Sequence, residues 1–516
     1  MFFRKLLAMI LAAVLCPILF SLTGDTVKDA VNGLVSEVTG TELSEEETDD
    51  NAEAAEKAQQ QEDTLALQKK WFKENKPTGK NPDNASDFTF MEYTYEDGIE
   101  IEGYMITEYT GSANEVVVPS EYEGKFVVAL DFSAFEGQDI TSVTLPESML
   151  YIGGYVFKEC KYLESINFPE NLQKIAVSAF EGCKSLSTLN LGRNIKYIGE
   201  SAFARCDLLK TVQITGGASP LTIGAYCFGE CTALERVTIP DYTEKLENSV
   251  FSNCKALTDF AISDTGNYTN IETGRWVFEY CEGLKSFDAS RFTKIDGGTF
   301  QGCTSLETVI LPDMLEEIQI DAFLNCTGLK NITLPDSVSV IGEGAFAGCT
   351  SLTTINIPAS LTKLGDAMLM DSGITEIFIP ANVSDTGRST FENCTNLKRI
   401  EFAEEGEKLT IDFCAFRNTG VEELVLPGRV VTAGNQSFVA CANLKKVVYK
   451  SSGAAFADQN IDYCAFADSP VEEIHIPATV DSIHESAIPY TAVIYCPAGS
   501  SAEEWAKQYG VNYVTE

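Results

Sequence analysis

Residues 329–349 read LKNITLPDSVSVIGEGAFAGC, and close copies of this stretch recur along most of the chain. The alternation of Ile332 and Leu334 indicates a short strand with alternate side chains pointing inward. Pro335 cannot donate to a β-ladder, so it ends the strand, and Gly342 then permits a bend. The Ala-Phe pair that follows places a small residue beside a large aromatic one. Such a unit is one coil, too small to bury its own apolar face.

The aromatic residue of this unit recurs at intervals of 22 to 28 residues, with one leucine in its place. The positions are Phe135, Phe157, Phe180, Phe203, Phe228, Phe251, Phe278, Phe300, Phe323, Phe346, Leu369, Phe391, Phe416, Phe438 and Phe466. Self-similarity at this period predicts stacked coils that bury a continuous core between neighbours. The sequence therefore predicts one repeat solenoid of coils of about 23 residues, with short parallel β-strands and turns or 3-10 segments.

The consensus L-x-x-I-x-I-P-x-x-V-x-x-I-G-x-x-A-F-x-x-C resembles the BspA-type leucine-rich repeats of bacterial surface and secreted proteins. The resemblance covers about Asp87 to Glu516. It implies a leading cap over 87–136, a leucine-rich repeat solenoid over 137–497 and a trailing cap over 498–516. It also implies adhesion or recognition roles, with ligands that vary among members.

The trailing cap can also be interpreted from its own residues. Ser501 and Glu504 have the spacing of a capping box, and Gly510 is placed to end the helix. We expect this short helix to cover the last coil and to protect its open strand edge.

The chain begins with the layout of an export signal. Arg4-Lys5 precede an uncharged stretch from Leu6 to Phe20, and small residues follow up to Gly24. The stretch is short for a membrane span and contains a proline. We expect a signal peptide over 1–24 and a secreted or cell-surface location. An uncleaved signal that anchors the chain in a membrane is the alternative.

The next segment, 25–86, is acidic and poor in apolar residues. From Asp25 to Asp83 it holds fifteen acidic and seven basic residues, and there is no aromatic residue between Phe20 and Trp71. Such a segment buries too little apolar surface to offset its ordering entropy. We expect a flexible linker over 25–86.

Charge and composition exclude several classes of function. The chain carries 76 Asp and Glu against 37 Lys and Arg, a formal charge of −39, which opposes binding to nucleic acid or anionic lipid. Its two histidines, His475 and His484, leave little room for a histidine-based metal site. His484-Glu485 begins an H-E-x-x-H pattern, but Ile488 stands at its second histidine. The sequence predicts no enzyme, no cofactor and no metal.

Cysteine occupies one repeated position, three residues after the aromatic. Eleven of the sixteen cysteines stand there: Cys160, Cys183, Cys206, Cys231, Cys254, Cys281, Cys303, Cys326, Cys349, Cys394 and Cys441. Ser372 and Thr419 replace cysteine in other coils, which favours a buried column of small residues with free thiols. Disulfide bonds between neighbouring coils stay open as the alternative. Cys464 and His475 are the nearest thiol and imidazole, and a packing role is favoured for Cys464.

A binding surface is expected on the exposed strand face of the later coils. Apolar residues occupy the central strand position there, beside charged residues two positions earlier. The candidate ligand-binding residues are Phe378, Arg399, Glu423, Val425, Lys446, Val448 and His475. Apolar groups rimmed by charge suit a protein-binding patch. The alternative is that β-branched and aromatic residues merely suit strands.

Four insertions fall directly after strands, at 215–220, 263–270, 403–408 and 450–460, so we expect them along one rim. We therefore expect an exported module that binds an extracellular protein or glycan. A structural, self-associating surface protein is the alternative, and the ligand itself stays unidentified.

Overall fold

The computed structural model describes residues 62–217, 219–263, 270–452 and 459–516. The chain forms two compact units. Of the described residues, the first comprises 62–217, 219–227, Arg236–Lys245 and 261–263, and the second comprises Phe228–Glu235, Leu246–Phe260, 270–452 and 459–516. The predicted signal peptide lies outside the described residues.

The first unit begins with a helix that includes residues 62–74, a 3-10 turn at Ala85–Asp87 and an antiparallel hairpin of Phe88–Glu96 with Glu100–Tyr109. The hairpin starts a parallel ladder of Lys125–Leu130, Tyr151–Ile152, Lys174–Ile175, Tyr197–Ile198 and Leu221–Ile223. Glu121–Tyr122 pairs antiparallel with Lys125–Leu130. The other strands are Glu115–Val117, Ser142–Thr144, Ser165–Ile166, Thr188–Leu191, Thr211–Ile214 and Arg236–Ile239. Two strands, Thr243–Leu246 and Asp259–Ile262, contain residues of both units.

The second unit is built from coils of the same kind, and the strand pairs within its described sheets are parallel. The strands that follow the repeated leucine are Ser286–Asp288, Thr308–Ile310, Glu376–Ile379, Arg399–Phe402, Glu423–Leu426, Lys446–Tyr449, Glu473–His475 and Val493–Cys496. The second strands of the coils, which lie later in each repeat, are Glu272–Thr273, Glu317–Ile318, Val340–Ile341, Leu409–Ile411, Val430–Ala433, Gln459–Ile461 and Val480–Ile483. The chain ends in helix Ser501–Tyr509 and strand Tyr513–Thr515.

Most coils contain two short strands, where the sequence pattern predicts one. The second strand lies just before the repeated glycine, as at Val340–Ile341 before Gly342. Its residues alternate between exposed and buried, with Ile341 inside. A short run with one inward residue gives almost no period-2 signal, which is why the pattern does not reveal it.

The repeated Phe residues form a stacked, fully buried spine. Their ring centroids are 5.0 Å apart from Phe135 to Phe157 and 5.2 Å apart from Phe323 to Phe346. The residues two before and two after each Phe have positive φ, as at Asp321 and Asn325. This geometry directs the N–H groups of Asp321, Phe323 and Asn325 to carbonyl oxygens of the next coil. Gly, Ser, Asn and Asp are common at these two positions because they tolerate positive φ best.

The described cysteines are free thiols, as the small-residue column predicts. Most thiols in the repeated position donate to the Phe carbonyl of the preceding coil, as Cys326 does to Phe300 at 3.0 Å. Burial raises the pKa of the Cys349 thiol to about 12. These thiols are therefore neutral packing groups with a satisfied hydrogen bond at ordinary pH.

The predicted linker boundary at residue 86 is wrong for residues 62–74, which form a docked helix. Phe72 is buried and packs edge-on against Phe126, with ring centroids 5.7 Å apart. The buried Gln68 donates to the Asn171 carbonyl and accepts from Gln173 Nε2 at 2.7 Å. A helix this short gains its stability from such packing rather than from composition, so composition alone does not predict it. The rest of the predicted linker, 25–61, lies outside the described residues.

The trailing cap has its N-cap one residue earlier than predicted. The Ser500 hydroxyl accepts from Glu503 N, and the Glu503 carboxylate accepts from Gly499 N at 2.6 Å. Both Ser500 and Ser501 suit an N-cap, and Glu503 decides between them. Gly510 ends the helix in a left-handed conformation, as predicted. The helix is followed by Tyr513–Thr515, which pairs in parallel with Val493–Cys496 and was not predicted.

Candidate binding surface

The exposed strand face is built from the outward residues of the strands that follow each repeated leucine. In strand Glu423–Leu426, Leu424 and Leu426 are buried, whereas Glu423 and Val425 are exposed. Parallel pairing in register places equivalent residues of successive coils side by side. The face therefore carries two rows. One row holds the first outward residue of each strand, such as Glu423, and is mostly charged. The other holds the second outward residue, such as Val425, which we call the central position.

Asparagine at the central position is used by the fold itself. The Asn356 side chain donates from Nδ2 to the Leu334 carbonyl and accepts from Leu334 N at Oδ1, both at 2.8 Å. Asn167 makes the same pair of bonds with Leu145, at 2.9 and 2.6 Å. In both cases a side-chain amide binds both backbone groups of one residue in the preceding coil. We call this arrangement the asparagine clamp.

Phe378 and Arg399 lie together on one two-stranded sheet. Phe378 is opposite Glu401, and Glu376 is opposite Arg399. Phe378 is 53% exposed, and it borders a shallow depression of about 290 Å³ that Arg399 and Glu376 also line. The Arg399 guanidinium pairs with both carboxylates, Glu376 at 3.9 Å and Glu401 at closer range. The Arg399 charge beside Phe378 is therefore paired within the chain, and the two carboxylates leave the surroundings of Phe378 net negative.

The other predicted residues lie together on the five-stranded sheet. Glu423, Lys446 and Glu473 form one row in register. The Lys446 ammonium lies 2.7 Å from the Glu473 carboxylate, and this hydrogen bond lowers the pKa of Glu473 and raises that of Lys446. The charged row again alternates in sign, and Lys446 and Glu473 are paired within the face.

The central row of this sheet is apolar and aromatic. Val425 is 44% exposed, and Val448 is half-buried beside it. His475 follows Val448 in register, and its ring stacks on Tyr495 with centroids 4.5 Å apart. The row thus places Val425, Val448, His475 and Tyr495 side by side.

The sequence interpretation missed Tyr495, a member of this row, and Val514, which lies beside it. Tyr495 lies between the buried Ile494 and Cys496, and Val514 pairs opposite Tyr495. The alternation of Ile494, Tyr495 and Cys496 predicts that Tyr495 points outward from the strand. We call Phe378, Val425, Val448, His475 and Tyr495 the late-coil apolar row.

Arg429 supports the strands behind Phe378. Its side chain is buried, with 1% of the residue exposed, and its guanidinium donates to backbone carbonyls rather than to a carboxylate. The acceptors are the carbonyl oxygens of Ile379, Pro380, Val383, Ala403 and Glu407. Burial lowers the pKa of Arg429, although the group stays charged at ordinary pH.

Arg429 also fixes the insertion 403–408, because Ala403 and Glu407 are among its acceptors. Glu404 of this insertion lies 2.5 Å from Lys450 at the start of the insertion 450–460. These two insertions therefore meet at one rim, as the sequence analysis expects. The insertions 263–270 and 450–460 contain the aromatic residues Tyr268 and Phe456, which lie outside the described residues.

The nearest thiol and imidazole of the sequence have separate neighbours. The Cys464 thiol is 3.6 Å from the Ser486 hydroxyl, whereas His475 stacks on Tyr495. Across the described ranges, no three His, Cys, Asp or Glu side chains gather where they could hold a metal ion. In the same ranges, no helix has the length and apolar character to span a membrane.

Comparison with known families identifies the class of this protein. The model of the BspA type leucine rich repeat region matches in four overlapping segments, 129–258, 217–330, 316–445 and 409–494. The chain belongs to the BspA-type leucine-rich repeat family. A search of curated proteins found no match.

Solved structures support the same fold. A leucine-rich repeat protein from Bacteroides ovatus ATCC 8483 is 25% identical, with 80% of this chain and 98% of that chain covered and a TM-score of 0.56. The leucine rich repeat protein of T. pallidum is 29% identical over 40% of this chain and 90% of its own, with a TM-score of 0.34. A leucine rich cell surface protein from Faecalibacterium prausnitzii A2-165 is 19% identical over 86% and 95%, with a TM-score of 0.30. Of these three, the first carries the fold comparison.

Proposed function

We propose that this chain is an exported leucine-rich repeat protein that binds an extracellular protein or glycan through its late-coil apolar row. The main support for the proposal is the exposure of Phe378 on the two-stranded sheet and of Val425 on the five-stranded sheet. The nearby cations are paired within the chain, Arg399 with Glu376 and Lys446 with Glu473. Apolar side chains on a rigid surface lose little conformational entropy on binding and act as anchors. Their apolar character favours a protein ligand.

The charged residues Arg399, Glu423 and Lys446 form the rim of this surface. Exposed ion pairs contribute little affinity, but they disfavour partners of the wrong charge pattern. Export is proposed from the signal-like sequence 1–24, and it would place the surface at the cell exterior. Binding is proposed rather than catalysis because burial raises the pKa of most column thiols, which keeps them protonated, and because Arg399 and Lys446 are already paired with carboxylates.

The test is binding of the purified chain to an array of extracellular-matrix proteins, mucins and cell-wall glycans. We expect saturable binding to at least one protein, weakened at least tenfold by Phe378→Ser and by Val425→Ser. Thr333→Ser is the matched control because Thr333 is exposed at the same central position of an earlier coil. Unaltered binding by both variants would refute a site on the late-coil apolar row.

A structural role is the second candidate function. In the described structure Tyr513–Thr515 is the last strand of its sheet, and all three residues are exposed. An exposed strand edge can pair with another chain. Light scattering on the array sample decides between the two: ordered oligomers without ligand binding would favour self-assembly.

A further inference from the structure

One coil presents two large aromatic side chains where the other coils have mostly small or polar ones. Trp276 and Tyr280 stand two before and two after Phe278, and both have positive φ, 58° and 55°. The position of Trp276 holds serine in five coils: Ser133, Ser178, Ser201, Ser249 and Ser389. The position of Tyr280 holds asparagine in four: Asn253, Asn325, Asn393 and Asn418. Elsewhere no coil has aromatic residues at both positions.

The next coil is shaped to receive both rings. It has Gly298 and Gly302 at the two positive-φ positions that flank its own Phe300. A Cβ atom on Gly298 would lie 2.2 Å from Trp276 Cδ1, and one on Gly302 would lie 2.4 Å from Tyr280 Cδ1. Any larger residue at either glycine would displace a ring. The two rings therefore lie against a single five-residue turn, 298–302.

The rings are fixed at their edges and remain open to solvent. Trp276 is 38% exposed and Tyr280 is 39% exposed. Gln301 Nε2 donates to the Tyr280 hydroxyl at 3.4 Å, and the Arg275 guanidinium lies 6.0 Å from the Trp276 ring. Arg275 is held in turn by Asp296, at 3.8 Å. The result is a supported aromatic platform with amide and guanidinium donors at its border.

Positive φ occurs at these two positions in each coil, so what distinguishes this coil is the pair of large aromatic side chains there. An aromatic surface that is supported from beneath and exposed above offers a flat apolar face to a ligand. A sugar ring matches it, because its C–H faces pack on aromatic rings while its hydroxyls bond to donors at the edge. The charge of −39 disfavours acidic or sulfated sugars.

We propose that Trp276 and Tyr280 form a binding site for neutral glycans on the turn side of the coil. This site is separate from the late-coil apolar row and does not depend on it. Trp276 supplies the main stacking surface. Tyr280 extends this stacking surface, and Gln301 and Arg275 contact hydroxyl groups of the sugar.

The experiment uses the full chain and an array of neutral oligosaccharides built from glucose, galactose, mannose or N-acetylglucosamine. Titration of the bound oligosaccharide then gives the affinity. Acrylamide quenching of tryptophan fluorescence follows Trp276 by difference, because the Trp276→Ser variant gives the contribution of the half-buried Trp71 and the buried Trp505. We expect saturable binding of at least one neutral oligosaccharide and protection of Trp276 from the quencher.

The variants copy residues that the other coils already hold at these positions. Trp276→Ser and Tyr280→Asn should keep the fold, which circular dichroism and thermal unfolding verify, and each should weaken sugar binding at least tenfold. Tyr226→Ser is the matched control, since Tyr226 has the position of Trp276 and Glu230 stands at the position of Tyr280 in that coil, and it should bind as the parent does. Phe378→Ser should also leave sugar binding unchanged.

Three results would overturn the proposal. The first is that no neutral oligosaccharide binds. The second is that Trp276→Ser and Tyr280→Asn bind the sugar as tightly as the parent chain. The third is that Phe378→Ser weakens sugar binding while Trp276→Ser and Tyr280→Asn do not. Binding of acidic sugars alone would likewise contradict the neutral ligand class.

Discussion

Asn356 and Phe378 occupy the same central position in consecutive coils, and both are exposed, yet their contacts differ. Asn356 forms the asparagine clamp with the backbone of Leu334, whereas Phe378 projects from a sheet with regular backbone pairing. The comparison teaches that exposure alone does not make a residue available to a ligand. A polar side chain whose donor and acceptor are both used stabilises the stack of coils, and an apolar one with exposed surface can bind.

The largest effect is expected from Arg429→Met, which removes the support behind Phe378. The substitution leaves five carbonyl oxygens without their donor in a buried site. We expect the free energy of unfolding to fall by about 3 kcal/mol, measured by urea denaturation. Arg417→Met is the control, because Arg417 is exposed and its ion pair with Glu392 spans 3.5 Å. Equal stability of the two variants would show that the buried guanidinium is dispensable.

An intermediate effect is expected from loss of an asparagine clamp. Asn167→Ala removes the two bonds to Leu145, so we expect a loss of about 1 kcal/mol in thermal unfolding. Asn190→Ala is the matched control, because the strand of Asn190 pairs with the next coil through its backbone. A similar loss in both variants would mean that the clamp adds nothing beyond asparagine at this position.

The smallest effect concerns the charged row of the late coils. The hydrogen bond from Lys446 lowers the pKa of Glu473 in the folded chain, so its contribution is present above the ordinary glutamate pKa of about 4.5. This contribution is lost as the pH falls through the lowered value. We expect the thermal midpoint of the parent chain to fall slightly more than that of Glu473→Gln between pH 6 and pH 3.5. Parallel curves would show that the pair does not stabilise the fold.

The sequence was sufficient to predict the solenoid because each coil repeats the same inward residues. Phe323 and Phe346 mark the spine, and the substitution of serine or threonine for cysteine in other coils indicated free thiols. The helix of residues 62–74 could not be predicted in this way, because its stability comes from contacts of Gln68 and Phe72 with residues far along the chain.

The binding surface was predictable only in part. Val425 and Val448 follow from the repeat register, and the structure places them side by side. The pairing of Arg399 and Lys446 with neighbouring carboxylates depends on which coils stack, and one coil read alone does not reveal it. The platform of Trp276 and Tyr280 escaped the sequence analysis because the turn positions have no alternation that marks them as exposed.

The account is tested most directly by measuring stability and ligand affinity for Asn356→Ser and Phe378→Ser in parallel. The measurement combines thermal unfolding with titration of the protein bound on the extracellular-matrix and mucin array. We predict that Asn356→Ser lowers stability and keeps affinity, and that Phe378→Ser keeps stability and lowers affinity at least tenfold. If Phe378→Ser binds as the parent does, or if Asn356→Ser loses binding while remaining equally stable, the assignment of the two positions is contradicted.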